Sequence, residues 1–148
     1  NLEIVGGVTY SDEENIFAKK IQPTFNGAPI AMETVATIKP LSYEMGGGNT
    51  GSTDVGDVSY LKPTVGLRAA TWVPGTTAHS WQAVAAGGTE IGTKGMLVAS
   101  KAMALTAIDL MSNPLLIQKA TQELKSSIGD YKYKALLGDI KPALNYRD

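Results

Sequence analysis

One stretch constrains this chain more than any other. From Lys94 to Met111 the residues Met96, Leu97, Val98, Ala99, Ala102, Met103, Leu105, Ile108 and Leu110 leave only a narrow polar seam of Lys94, Lys101 and Asp109. A helix apolar over that much of its circumference has to be covered on most sides. Lys101 and Asp109 also keep the run short of the about 18 uncharged apolar residues that mark a membrane span, so no membrane is expected as a partner. Ser112-Asn113-Pro114 then stops the helix and starts another, proline suiting a first helical turn. That second helix is expected from Leu115 to about Ile128, with Gly129 as its C-terminal stop.

The glycines are unevenly spread. Eleven of the 16 lie between Gly46 and Gly95, in a window poor in charge. Residues 46–95 therefore read as site loops, 94–128 as two packed helices, and 1–148 as one structural unit. Loops held on a scaffold are where binding and catalysis concentrate.

Upstream, Leu2 to Thr9 reads as a strand. Ser11 opens a helix as a capping box with Glu14. Asp12, Glu13 and Glu14 crowd its first turn, where the helix dipole favours negative charge. Ile16, Phe17 and Ile21 mark its buried face, Lys19 and Lys20 its wet one, and Asn26-Gly27-Ala28-Pro29 ends the segment. Thr34 to Ile38 alternates as a strand could. Thr64 to Val73 does so better, with Val65, Leu67, Ala69, Thr71 and Val73 on one face between Pro63 and Pro74-Gly75. The tail from Asp130 is basic and aromatic (Tyr131, Lys132, Tyr133, Lys134) and reads as a short helix plus an arm. Interleaved strands and helices favour an α/β fold. The strands offer less cover than the helix at 94–111 asks for, so a further segment is expected to complete the sheet. The opening at Asn1, without Met, fits the inside of a longer chain.

Composition closes several routes. Thirteen basic against 14 acidic residues give a net charge of −1, which excludes a strongly basic nucleic-acid footprint. The absence of cysteine excludes disulfides and thiolate chemistry. His79 is the one histidine, so neither a metal site nor a Ser/His relay can use two. At 148 residues, 43% hydrophobic and 18% charged, the chain is long and apolar enough for a real core.

Three segments could carry chemistry. Gly46-Gly47-Gly48-Asn49-Thr50-Gly51 fits G-x-G-x-x-G, but the poor strand Leu41-Ser42-Tyr43-Glu44-Met45 precedes it. No acid stands about 20 residues on, so a glycine turn is the better reading than a nucleotide site. In Gly51-Ser52-Thr53-Asp54-Val55-Gly56-Asp57, the side chains of Ser52, Thr53 and Asp54 can cap a helix starting near Val55 and leave amides that favour an anion. Asp54 reads equally as that cap and as an acid supporting a site. In Pro74-Gly75-Thr76-Thr77-Ala78-His79-Ser80-Trp81-Gln82, His79 follows a strand end in a Gly/Thr loop, and neutral imidazole is the commonest protein metal ligand. His79, Asp54 and Asp57 alone make an incomplete ligand set. Ser80 beside His79 is no catalytic pair, because no nucleophile elbow is present.

Five ordered blocks carry a resemblance: Gly51 to Ser59, Pro63-Thr64-Val65, Thr71-Trp72-Val73-Pro74-Gly75, His79-Ser80-Trp81-Gln82 and Ile91-Gly92-Thr93-Lys94-Gly95-Met96. Together they resemble the C-terminal part of the aminobenzoyl-glutamate utilization protein B-like amidohydrolases, of the aminoacylase and glutamate-carboxypeptidase type of di-zinc metallopeptidases. The match is closest from Gly46 to Asn113, and the helix from Ser11 to Thr24 fits the re-entry into the catalytic domain after a lid domain.

The resemblance implies a three-layer, mixed-sheet zinc-peptidase catalytic domain whose N-terminal half and lid domain lie outside these residues. It implies two divalent metal ions, zinc or sometimes manganese, in the complete enzyme. It also implies a glutamate that activates a bridging water, and attack on an amide beside an amino acid such as glutamate. Only the final metal-binding histidine carries over, onto His79. Asp54 matches an acid near the site, and Asp54 or Asp57 is the candidate acceptor for the second ring nitrogen of His79. Ser52 and Thr53, with the amides up to Val55, are candidates to hold a substrate carboxylate. No catalytic base falls in this stretch, so the fragment alone is expected to be inactive, whether or not it binds metal.

The implied partners are a small amide substrate, the missing N-terminal half of the catalytic domain and, in the parent, a homo- or hetero-oligomer. The implied location is cytoplasmic. The alternative reading is a non-catalytic interaction or binding module, because an uncovered helix at 94–111 would seek a partner.

Overall fold

A computed structural model describes residues 1–42 and 53–145 of the chain. The helices are α1 (Leu2–Val5), α2 (Asp12–Ile21), α3 (Val55–Ser59), α4 (Trp81–Gly87), α5 (Glu90–Ser112) and α6 (Pro114–Ile128), with 3-10 turns at Gln22–Thr24 and Met32–Ala36. Where the sequence suggests one unit, the described residues group into two: those within Asn1–Met45 and Gly66–Asn113, and those within Gly46–Val65 and Pro114–Asp148.

The first unit is organised by α2 and the start of α5. Ser11 Oγ accepts from Glu14 N at 3.2 Å while Ser11 N donates to Glu14 Oε2 at 2.6 Å, the capping box expected from sequence. Such a cap contributes about 1 kcal/mol. The buried face of α2 is Glu14, Ala18 and Ile21, with Phe17 partly buried, whereas Ile16 faces outward. Ala18 and Ile21 meet Val73, Ala86 and Ile91 in a small core flanked by Tyr10, Phe25 and Met32.

Two glycines bring α5 close enough to close this core. A Cβ on Gly92 would lie 2.2 Å from the Gly87 carbonyl oxygen, and one on Gly95 would lie 2.4 Å from that of Ala70. The polar seam of α5 serves as an attachment line. Lys94 Nζ donates to Glu14 Oε2 at 2.6 Å and to the Thr9 carbonyl at 3.1 Å. Near the other end, Asn1 Nδ2 donates to Asp109 Oδ2 at 2.8 Å and to Thr106 Oγ1 at 3.0 Å.

Several expectations are corrected. Leu2 to Thr9 is not a strand: Val5 N and Gly6 N bond back to the carbonyls of Asn1 and Leu2, closing one helical turn, and Gly6 breaks it at φ 82°. The local turn overrides the β preference of Ile4-Val5. Around Thr34 the chain closes a 3-10 turn onto Ala31 instead of extending. Residues 66–73 take no regular secondary structure, with a bend at Trp72 and Val73 in the core, and no ladder is built on them. A strand is stabilised by its cross-strand pairs, and the described part of this unit supplies a single such bond elsewhere, Val8 N to the Val35 carbonyl at 3.0 Å. The α/β, mixed-sheet expectation is therefore not what the described residues form, since they are helical and contain no strand.

Helix α5 starts at Glu90, four residues before Lys94, with Thr89 Oγ1 accepting from Ile91 N. It buries only Ile91, Gly92, Gly95 and Ala102, and Met96, Met103, Ile108 and Met111 are each more than half exposed. By length and composition alone it is apolar enough to cross a membrane, even with Lys101 and Asp109 in it. Its bonds to Glu14, Thr9 and Asn1 make it the spine of the first unit.

In the second unit α3 begins at Val55 and α6 at Pro114, as the capping and proline signals indicate, and Gly129 ends α6 at φ 58°. Residues 130–145 make turns rather than the expected short helix.

Candidate functional site

His79 lies in the first unit, in the turn that leads into α4 rather than at the end of a strand. Its position is fixed from both sides. Upstream, Gly75 at φ 92° allows Thr76 to return to the core, where its N–H and Oγ1 both donate to the carbonyl of buried Val73, at 3.1 and 2.7 Å. Downstream, Ser80 Oγ donates to the Thr77 carbonyl at 2.6 Å and accepts from Ala83 N at 3.2 Å, closing the turn and capping α4 in one stroke. Gln82 straps α4 to the exit of α2 through the Thr24 carbonyl at 3.1 Å, and Gln22 reaches the Pro74 carbonyl at 3.5 Å.

Between these ties His79 takes φ 59°, alone among the described non-glycine residues in having a positive φ. That conformation costs an L-residue roughly 1–2 kcal/mol. Strain of this kind persists where the surroundings over-determine it and clusters at functional sites. The ring is exposed, and no described residue hydrogen-bonds to it. Trp81, two residues on, is 62% exposed.

The other candidates belong to the second unit. Asp54 stands at the N-cap of α3 with no hydrogen bond from its side chain to the helix, and Thr53 Oγ1 takes the Val55 amide at 3.3 Å instead. The Asp57 amide is satisfied by the Asp54 carbonyl. The amides proposed to favour an anion are thus partly used by the turn itself. The Asp57 carboxylate accepts from the Tyr133 hydroxyl. Ser52, the Gly46–Gly51 loop and Tyr43 to Met45 fall outside the described residues. Among the described residues no three His, Asp or Glu side chains gather. The described residues make no two-metal centre among themselves, though the exposed His79 is a donor of the right chemistry.

Two features escape the sequence reading. Tyr60 stacks on Tyr133, with centroids 5.4 Å apart and planes at 15°, and tilts against Tyr131 at 5.3 Å. The signal was the Tyr-Lys-Tyr alternation, which puts both tyrosines on one side of an extended chain. The Tyr133 phenol is pushed up to about 12 by its hydrogen bond to Asp57, helped by burial and the Asp57 charge. The second feature is the Glu14–Lys94 pair. Burial pulls the Glu14 carboxyl upward, but the Lys94 hydrogen bond and charge and the Ser11 contacts outweigh it and hold the group below its ordinary value. Beside it, burial and the Glu14 charge push Tyr10 up to about 12, and its hydroxyl donates to the Trp72 carbonyl at 3.2 Å.

The chain is 34% identical over 140 residues to a subunit of the p-aminobenzoyl-glutamate hydrolase of Escherichia coli (strain K12), a match covering 80% of this chain and 29% of that protein. It is 32% identical over 107 residues to Xaa-Arg dipeptidase of Mus musculus, covering 71% of this chain and 23% of that one. No family model matches the chain, and no solved structure does. It spans less than a third of the length of either curated relative. Both relatives are hydrolases by name. The chain is a homologue of these two enzymes, and its family is the M20 type of peptidase to which both belong.

Proposed function

We propose that this chain is part of a metal-dependent amidohydrolase that cleaves the amide bond of N-acyl or aminobenzoyl amino acids. His79 contributes one ligand to a divalent metal whose other ligands come from elsewhere in a longer protein. The observation that carries the reading is the His79 turn, where an exposed imidazole is held at φ 59° by hydroxyl-anchored turns on either side. The relatives' names support the reaction class. A bound divalent ion would supply an activated water and polarise the amide carbonyl. The part played by this chain is to hold a neutral ring nitrogen in place, with the other nitrogen free to donate to a carboxylate or carbonyl. In the longer protein, residues 66–73 would gain the strand partners that make a mixed sheet, and the exposed face of α5 would be covered.

The test is His79→Ala in the complete gene product. Bound zinc or manganese, measured by atomic spectroscopy, should fall by one ion per chain, and hydrolysis of p-aminobenzoyl-glutamate should drop by about a thousandfold or more. Unchanged metal content and turnover would remove the reading. The 148-residue chain alone should show no hydrolysis. A second reading, a non-catalytic interaction module, draws on the exposed Met96, Met103, Ile108 and Met111 of α5. A gene product that binds no divalent metal and hydrolyses no N-acyl amino acid would favour it.

A further inference from the structure

Trp81 is the exposed aromatic side chain nearest in sequence to His79. It opens α4, which is held in place while Val84 also stays exposed: Ser80 caps the helix, Ala83 and Ala86 are buried, and Gln82 ties it to Thr24. The helix is thereby fixed while its indole is left 62% exposed. Two residues of chain span at most about 7 Å, so the imidazole and the indole spring from neighbouring points on one rigid turn. An exposed indole is a large, rigid apolar surface with a preference for stacked or edge-on aromatic partners.

Resting on the hydrolase reading above, we propose that Trp81 is a specificity-determining residue, whose indole packs against an aryl or similarly broad acyl group of the substrate while His79 holds the metal at the scissile amide. The substrate class this selects is an aroyl amino acid rather than a short alkanoyl one. The aminobenzoyl group in the name of one relative is of that kind. Trp81 touches the acyl group and takes no part in proton or metal chemistry. Its loss should therefore change selectivity and leave the reaction intact.

The experiment compares the complete gene product with Trp81→Ala and Trp81→Phe on two substrates, p-aminobenzoyl-glutamate and N-acetyl-glutamate. With Trp81→Ala, kcat/KM for the aroyl substrate should fall about ten- to a hundredfold, mainly through KM, while that for the acetyl substrate changes less than about threefold. Trp81→Phe should recover most of the loss. Metal content should be unchanged in both variants. Titrating p-aminobenzoate into the metal-free protein should quench indole emission, and Trp81→Ala should abolish the quench while the emission of Trp72 remains. Equal loss on both substrates, no loss on either, or a quench that survives the substitution would each overturn the proposal and leave the hydrolase reading standing. A wild-type protein that hydrolyses neither substrate would overturn both.

Discussion

Two parts of the first unit handle their polar groups in opposite ways. Around Glu14 everything is partnered: the carboxylate accepts from Ser11 N and Lys94, Lys94 also reaches the Thr9 carbonyl, and Ser11 returns a cap to Glu14 N. Helix propensity, capping and charge agree there, and the carboxylate is buried because it is satisfied. Around His79 the local rules are broken. A residue with a Cβ sits in left-handed backbone, its ring has no described partner, and a tryptophan beside it stays exposed. Agreement across levels marks scaffold, and a local violation held in place by its neighbours marks a functional position. Here the scaffold serves the violation, since Gln82 and Gln22 anchor the His79 turn to the exit of the helix that Glu14 caps.

The hardest blow to the scaffold side is Glu14→Gln. It removes the charge from a carboxyl that is only about 10% exposed and faces Lys94 at 2.6 Å. Lys94 is about a third exposed and can rehydrate, so the expected loss is about 2 kcal/mol, below that of a fully buried pair. Urea unfolding at neutral pH measures it, and a loss below about 0.5 kcal/mol would reduce the network to decoration. The pH dependence has a fixed sign. The Glu14 carboxyl lies below its ordinary value in the folded chain. Its contribution is therefore full above the unfolded pKa and is lost as pH falls through the folded one. Stability of the wild type should drop on acidification through and below the normal carboxylate range, and Glu14→Gln should flatten that drop.

The two sides also differ in how legible they are. Glu14 with Ser11, the restart at Pro114 and the stop at Gly129 are local signals, and the structure keeps all three. His79 was readable as a candidate from its loop. Its left-handed backbone was not, because that conformation is imposed by Val73, Thr77 and Ala83 through hydroxyl bonds that no periodicity records. The strand-like alternation of residues 64–73 was legible, yet alternation specifies a face and not a partner. Without a ladder in the described unit the segment forms no strand. The Glu14–Lys94 contact joins residues 80 apart, and the sequence marks each as polar without saying that they meet.

The functional side is probed by His79→Gly. Glycine relieves roughly 1–2 kcal/mol of left-handed strain but adds about 0.5–1 kcal/mol of backbone entropy in the unfolded chain. The expected net change runs from none to a gain of about 1.5 kcal/mol. His79→Val should instead lose about 1–2 kcal/mol, because a β-branched residue tolerates this backbone worst. In the complete gene product both substitutions should abolish the metal-dependent activity alike. Stability moving in opposite directions while activity is lost in both would separate strain kept for a ligand from strain incidental to the fold. A glycine variant that is markedly less stable would mean that the imidazole packs, and the contrast with Glu14 would fail.

Tyr133→Phe should have the smallest effect, and it asks whether the second unit follows the Glu14 pattern. Asp57 and Tyr133 form a carboxylate–hydroxyl pair, as deliberate in geometry as Glu14–Lys94, with Tyr60 stacked on the phenol ring. But Asp57 is exposed, Tyr60 is nearly half exposed, and α6 buries nothing fully. Water can replace the phenol at Asp57 with little loss, so the urea midpoint should barely move. The spectroscopic change should be clearer than the thermodynamic one. Among the described residues Tyr133 is one of two phenols pushed up to about 12, the other being Tyr10. Alkaline titration followed by tyrosinate absorbance should lose one late-titrating phenol in Tyr133→Phe. In Asp57→Asn, which keeps an acceptor but not the charge, that phenol should titrate earlier. A Tyr133 that already titrates with the ordinary tyrosines in the wild type would mean that Asp57 is free in solution.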